Sequence, residues 1–147
     1  MKEPVWLDRM ILEAIHAEQI REHGGSFGLR DEGLLESALA RPRQKWSYGS
    51  DPDLASLAAA YGFGLCKNHP FVDGNKRASL MAIFVFLDLN GFDLDAPEPE
   101  TVEMITSVAS GTTGEEDLAH WVRSRIRPLR QTDDHPTQEA DEADGGA

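Results

Sequence analysis

Cysteine is nearly absent. Cys66 is the single one in a chain of 147 residues, which excludes an internal disulfide and a cysteine-built zinc cluster. Cations are scarce as well: 14 Lys and Arg stand against 26 Asp and Glu, a formal net charge of −12. That balance argues against a general nucleic-acid binder, which normally shows a basic face, so no direct binding to DNA is expected, and anionic membrane surfaces are disfavoured too. No apolar run reaches the ~20 residues that a membrane helix needs. The start, Met1 to Asp8, has no long apolar core of the signal-peptide kind, so a cytoplasmic protein is expected. No segment sustains the alternation of a strand. What remains, with 40% hydrophobic residues, is one domain's worth of globular chain with an all-α expectation.

About six helices are expected. Asp8 reads as an N-cap, with Leu7 and Leu12 placed as a hydrophobic staple and Met10, Ile11, Ala14 and Ile15 as the core stripe. Gly24-Gly25 stops that helix, and the glycine-rich residues 24–30 are no phosphate loop, since no Lys-Ser/Thr pair follows. A second helix runs from the Asp31 cap through Ala40, with Leu34, Leu35, Ala38 and Leu39 inward and Pro42 ending it. Residues 41–53 show no helical period and mix cations with Trp46 and Tyr48. They read either as a loop that contacts a partner or as a connector whose aromatics tuck against the core. The third helix, Asp53 to Lys67, carries Leu54, Leu57, Tyr61 and Leu65, with Gly62 and Gly64 allowing close approach of another helix. A fifth spans Glu98 to Ser110, and a sixth follows a Thr113/Glu116 capping box and carries Leu118, Trp121, Val122 and Ile126. The domain is expected over residues 1–127. The remainder, 128–147, has six acids from Leu129 onward against Arg130 alone, and is expected to be a disordered acidic tail.

The fourth helix, about residues 75–90, is the one around which the others are expected to pack. From Leu80 to Leu87 it has no charged or strongly polar side chain on any face, which places it in the middle of the domain. Just before it, His69-Pro70-Phe71-Val72-Asp73-Gly74-Asn75-Lys76-Arg77 crowds an imidazole, a carboxylate, an amide and two cations together. Pro70 and Gly74 mark a turn, so the helix begins around Gly74 to Lys76 and ends at Asn90-Gly91. A helix start has unpaired N–H groups and favours an anion, whereas cations there are unfavourable unless an anion compensates. Lys76 and Arg77 break that local rule, and sites that do so tend to be working sites.

Three readings compete for the stretch. A capped helix start with a satisfied histidine must account for all five polar groups at once. A metal site built on His69 and Asp73 needs both on one helix face, which Pro70 and Gly74 oppose, and it falls short of the three protein ligands usual for catalytic zinc. Nucleotide chemistry uses every group: the helix start, Lys76 and Arg77 for phosphates, Asp73 for magnesium and His69 as general base. Imidazole is the one side chain in the stretch suited to giving and taking a proton near neutrality. Asn75 can orient the loop and donate to a phosphate oxygen.

These residues resemble the signature of the Fic/Doc superfamily. Lys76, where typical Fic enzymes have glycine, is similar to the death-on-curing (Doc) branch, as are Gly28-Leu29-Arg30-Asp31, the run Gly33 to Pro42, and Lys67-Asn68. The likeness covers roughly residues 5–127. It implies an all-helical fold and transfer of part of ATP to a protein hydroxyl. In the Doc branch that part is the γ-phosphate, and the acceptor is a threonine of elongation factor Tu, which halts translation. Fic-type AMP transfer, and an inert binding module of the same fold, are the alternatives. By position, the resemblance makes His69, Asp73, Lys76 and Arg77 catalytic, Gly74, Asn75, Lys76 and Arg77 the ATP-phosphate cradle, and Asp73 the magnesium ligand. It also implies a toxin–antitoxin pair with a Phd-like antitoxin. A built-in inhibitory helix of the pattern Ser/Thr-x-x-x-Glu-Gly/Asn has no match, because Glu32-Gly33 is preceded by Gly28 at the Ser/Thr position.

Overall fold

The computed structural model describes residues 1–129. The acidic-tail expectation lies almost wholly outside them. In chain order the elements are α1 (Arg9–His23), α2 (Glu32–Tyr48), α3 (Leu54–Asn68), α4 (Asn75–Leu89), β1 (Phe92–Leu94), α5 (Glu98–Ala109), α6 (Glu115–Arg125) and β2 (Ile126–Pro128). The fold is all-helical apart from one antiparallel ribbon, in which Phe92 faces Pro128 and Leu94 faces Ile126. Strands of three residues are too short to show an alternating pattern, which is why the sequence gives no sign of them. Among the described residues no helix is long and apolar enough to cross a membrane.

The centre is shared by α3 and α4. Alanines 55, 58, 59 and 60 let neighbours approach α3 closely, and its larger side chains Leu57, Tyr61 and Leu65 are fully buried. A Cβ on Gly62 would lie 2.5 Å from Cδ1 of Ile83, so the α3–α4 contact depends on that glycine. The Tyr61 hydroxyl accepts from the Leu7 main chain N–H at 2.9 Å and ties the chain start to this core. Phe86 of α4 packs between Tyr61 (ring centroids 5.1 Å apart) and Trp6 (6.2 Å).

Caps and stops follow local chemistry at most ends. Asp8 accepts from Ile11 N–H, Asp31 from Leu34 N–H, and Asp53 forms a reciprocal capping box with Ser56. Gly91, at φ +89°, closes α4 as expected. Four expectations are corrected. The inward stripe of α1 is Leu12, His16, Gln19 and Ile20, while Met10 is 78% exposed. Pro42 does not end α2, which continues to Tyr48, so the supposed loop 41–53 is mostly helix. The roughly 3 kcal/mol that an internal proline costs is opposed by what the extra turns reach. Arg41 and Lys45 pair with Glu115 of α6, the Arg43 guanidinium lies over Trp6, and Trp46 meets Trp6 edge-on at 6.5 Å. Trp46 thus packs on the core, whereas Tyr48 is exposed. Finally, no capping box opens α6: Gly114 is its N-cap, and the Thr113 hydroxyl pairs with Ser107 instead.

Candidate active site

Two chain reversals build the site, one at each end of residues 69–74. The first is His69 itself. It caps α3, its N–H donating to Leu65 O, and sits in the left-handed region at φ 55°, ψ 53°. For a residue with a Cβ that conformation costs about 1–2 kcal/mol, so it persists only where the surroundings hold it. Arg30 does the holding. Its guanidinium donates to the carbonyls of His69 (2.7 Å) and Asn68 (2.9 Å), and its main chain N–H donates to Pro70 O. Val72 N–H in turn donates to Gly28 O, so residues 28–31 run beside 70–72 like a short ladder. The result is an exposed imidazole on a rigid turn, with no ring hydrogen bond among the described residues.

The second reversal is Gly74, at φ +76°, from which α4 departs. No side chain caps α4. Ala78 N–H is the first to find an intrahelical acceptor (Gly74 O, 2.9 Å), which leaves the N–H groups of Asn75, Lys76 and Arg77 without partners among the described residues. No ion pair among those residues involves Lys76 or Arg77 either. Arg77 donates through Nη2 to Gly24 O at 3.0 Å, while its buried Nε has no partner. Three unpaired N–H groups and two cations that make no ion pair among the described residues belong to the positive end of one helix, which is an anion site in waiting.

Asp73 lies beside that end. Its Oδ2 accepts from Ser26 N–H (3.2 Å) and its Oδ1 from Gly74 N–H (2.8 Å). These two main chain bonds, aided by the charge of Arg77, hold its carboxyl below the usual range, so it stays ionised. Asn75 orients the loop, as expected, but its side-chain amide is committed to that and not turned to an anion. It is 4% exposed, and both ends of its amide bond the Phe71 main chain, accepting from N–H at 3.0 Å and donating to the carbonyl at 2.9 Å. Its side chain therefore shapes the loop, and what it offers an anion is its own main chain N–H.

Besides the support from Arg30 and Ser26, sequence reasoning missed three further contributors. His16, from α1, stacks flat on Phe71 with centroids 3.8 Å apart, and its Nε2 lies 2.7 Å from Asp73 O. Gly24 and Gly25 form the wall against Arg77 and the Asp73 carboxylate. The readable signal was the polar pair His16 and Gln19 at helical spacing with Ile20, since buried polar groups on a core stripe need partners. Cys66, the one cysteine, has no role here, because burial pushes its thiol up and keeps it protonated.

Beyond Lys76 and Arg77 a groove of about 580 Å³ runs between α4 and α5. Leu80, Met81, Phe84, Val102 and Ile105 make its apolar walls. Among the described residues no group of three or more His, Cys, Asp or Glu could hold a metal, so an all-protein metal cage is not what the site offers.

The Fic/DOC family model matches residues 6–87. The chain is 44% identical over 91 residues to "Toxin Doc" of Mycolicibacterium smegmatis, an alignment spanning 56% of this chain and 69% of that protein. It is 30% identical over 112 residues to "Protein kinase doc" of Escherichia phage P1, spanning 76% and 88%.

Proposed function

Because the chain belongs to the Fic/DOC family, we propose that it is the toxin of a toxin–antitoxin pair and transfers the γ-phosphate of ATP to a Ser or Thr hydroxyl of a protein. The observation that carries this is the open start of α4, where the N–H groups of residues 75–77 lack partners and Lys76 and Arg77 make no ion pair among the described residues, a few residues after the exposed His69. An inert module has no use for that arrangement. Lys76 favours phosphate over nucleotide transfer, since it fills and charges the space that glycine leaves open in typical Fic enzymes.

In the reaction, the target hydroxyl oxygen forms a bond to the γ-phosphorus as the bond to the β–γ bridging oxygen breaks, and ADP leaves. The His69 imidazole takes the hydroxyl proton, and its rigid turn keeps it at one place relative to α4. Lys76, Arg77 and the N–H groups of residues 75–77 neutralise the charge spread over the moving phosphoryl group. Asp73 is the residue that would hold magnesium, and it fits: one exposed, ionised carboxylate completed by phosphate oxygens is how that ion is commonly bound. A magnesium ion there would screen the phosphate charges.

The proposed acceptor is elongation factor Tu, whose modification would stop translation in the cytoplasm. Control by a Phd-like antitoxin is supported by the α4–α5 groove, whose apolar walls and cationic mouth suit an amphipathic segment with an acid at one end. Intact-mass analysis of elongation factor Tu after incubation with the chain, ATP and magnesium tests the reaction. The expected result is a phosphate-sized gain that vanishes with His69→Ala. An adenylyl-sized gain, or none from a folded, antitoxin-free preparation, refutes it.

A further inference from the structure

We infer that His16 is a positioning residue which locks the Asp73–Gly74 peptide plane and thereby aims the start of α4. The inference deepens the phosphate-transfer reading and rests on it.

His16 is 4% exposed, on the α1 stripe between Leu12 and the pair Gln19 and Ile20. Its ring lies parallel to that of Phe71, with an interplanar angle of 5°. Its Nε2 lies 2.7 Å from Asp73 O. A carbonyl only accepts, so Nε2 carries the hydrogen and donates. The opposite end of the same peptide group is held too, because Gly74 N–H donates to Asp73 Oδ1 at 2.8 Å. One peptide plane is thus tied at its oxygen by α1 and at its nitrogen by the side-chain carboxylate of Asp73 itself.

That plane decides what the site presents to an anion. Gly74 has no Cβ to hold φ at +76°, and glycine passes between its allowed regions readily. If the plane turned over, the Asp73 carbonyl would face the position meant for phosphate, and the Asp73 carboxylate would lose its nearest N–H donor. A dipole reversed at the mouth of the helix opposes the three N–H groups behind it. His16 is the group that prevents the turn. Gln19 and Ile20, on the same stripe, cannot substitute: Ile20 has no donor, and Gln19 faces the groove.

The test separates donor from shape. His16→Phe keeps a ring against Phe71 but cannot donate. His16→Gln and His16→Met match each other in length, and of the two only Gln donates. Calorimetric titration of the full chain with ATP and magnesium reads the site, and the ¹H–¹⁵N resonance of Gly74 reads the peptide plane whatever the reaction is. The Phe and Met variants are expected to lose about tenfold in ATP affinity, the effect of one hydrogen bond, with the Gly74 resonance broadened or split and the core resonances of Tyr61 and Phe86 unmoved. The Gln variant is expected to recover both to within about threefold. If His16→Phe fails to fold, the Gln and Met pair poses the same question. Wild-type behaviour of Met, or failure of a folded Gln variant to recover, overturns the inference. If the unaltered chain transfers no phosphoryl group while Gly74 responds as described, the reaction reading falls and the role of His16 stands.

Discussion

Gly24 and Gly25 are adjacent, both at positive φ (+87° and +118°), and differ in what stands beside them. A Cβ on Gly24 meets nothing within 4 Å. A Cβ on Gly25 falls 2.7 Å from Asp73 Oδ2, 3.1 Å from its Cγ and 3.2 Å from Ile20 Cδ1. Either substitution by alanine is expected to cost about 1–3 kcal/mol in backbone strain, or roughly 4 °C per kcal/mol in melting temperature for a domain of this size. Only Gly25→Ala moves the carboxylate. Carbon and oxygen ordinarily approach to about 3.3 Å, so Asp73 must retreat by about half an ångström. Its bond from Ser26 N–H, already 3.2 Å long, then passes the limit of a hydrogen bond. Losing that donor releases the main cause of the lowered carboxyl pKa and misaims the group proposed for magnesium. Loss of such a supporting bond typically weakens a metal site about 10- to 100-fold. The assay is phosphate transfer as a function of magnesium concentration, with a thermal melt of each variant. Gly25→Ala should need at least about tenfold more magnesium, and Gly24→Ala should need no more than the unaltered chain despite a similar drop in melting temperature. Equal magnesium curves for the two variants would refute the reasoning.

Other outcomes follow from the same geometry. Lys76→Gly should abolish phosphate transfer and admit AMP transfer, read as the mass added to the target; undiminished phosphate transfer would remove Lys76 from its role. Asp53 caps α3 and pairs with Arg123 at 2.7 Å, which lowers its pKa from 3.8 to about 2. Because the folded value is the lower one, its stabilisation is present above pH about 4 and is lost as the pH falls through about 2. Asp53→Asn should therefore lower stability at neutral pH and flatten denaturation midpoints between those limits, and an unchanged acid limb would count against the pair. Gly62→Ala should destabilise by about 1 kcal/mol, the overpacking against Ile83 exceeding the helix-propensity gain. In an Ile83→Ala background, itself destabilised by about 2–5 kcal/mol, the same change should stabilise. Additivity in urea denaturation would mean that the two residues do not meet as described.

Much of the fold could be read because the signals were local. Asp8, Asp31 and Asp53 sit where capping chemistry requires, and Gly74 and Gly91 bound α4 through backbone conformations that few residues adopt. The misreadings share a cause, which is that distant contacts overruled local rules. Pro42 stays inside α2 because Glu115, some 70 residues away in sequence, and Trp6 reward the continuation of the helix. The stripe of α1 was drawn on Met10 and Ile15 because they are apolar, but His16 and Gln19 turn inward to serve the α3–α4 turn and the groove. Thr113 and Glu116 had the spacing of a capping box, yet Ser107 offered the hydroxyl a better partner. At the site, the types of chemistry-bearing residues were legible in the stretch 69–77. Their supports were not, because Arg30, Ser26, Gly24 and His16 reach it from 38 to 57 residues away, and no spacing rule connects them.

The Arg30 clamp bears on transplantation. His69 through Arg77 can be copied onto the start of any helix, and the copy would carry every reactive group. It would not carry the guanidinium that pins the carbonyls of residues 68 and 69, so the histidine would relax out of its left-handed turn and swing over a range of positions. An engineered graft, or an excised peptide, would keep the composition of the site without its aim. The smallest portable unit is therefore the span from α1 through the first turns of α4, with residues 28–31 included, and not the motif by which the family is spotted.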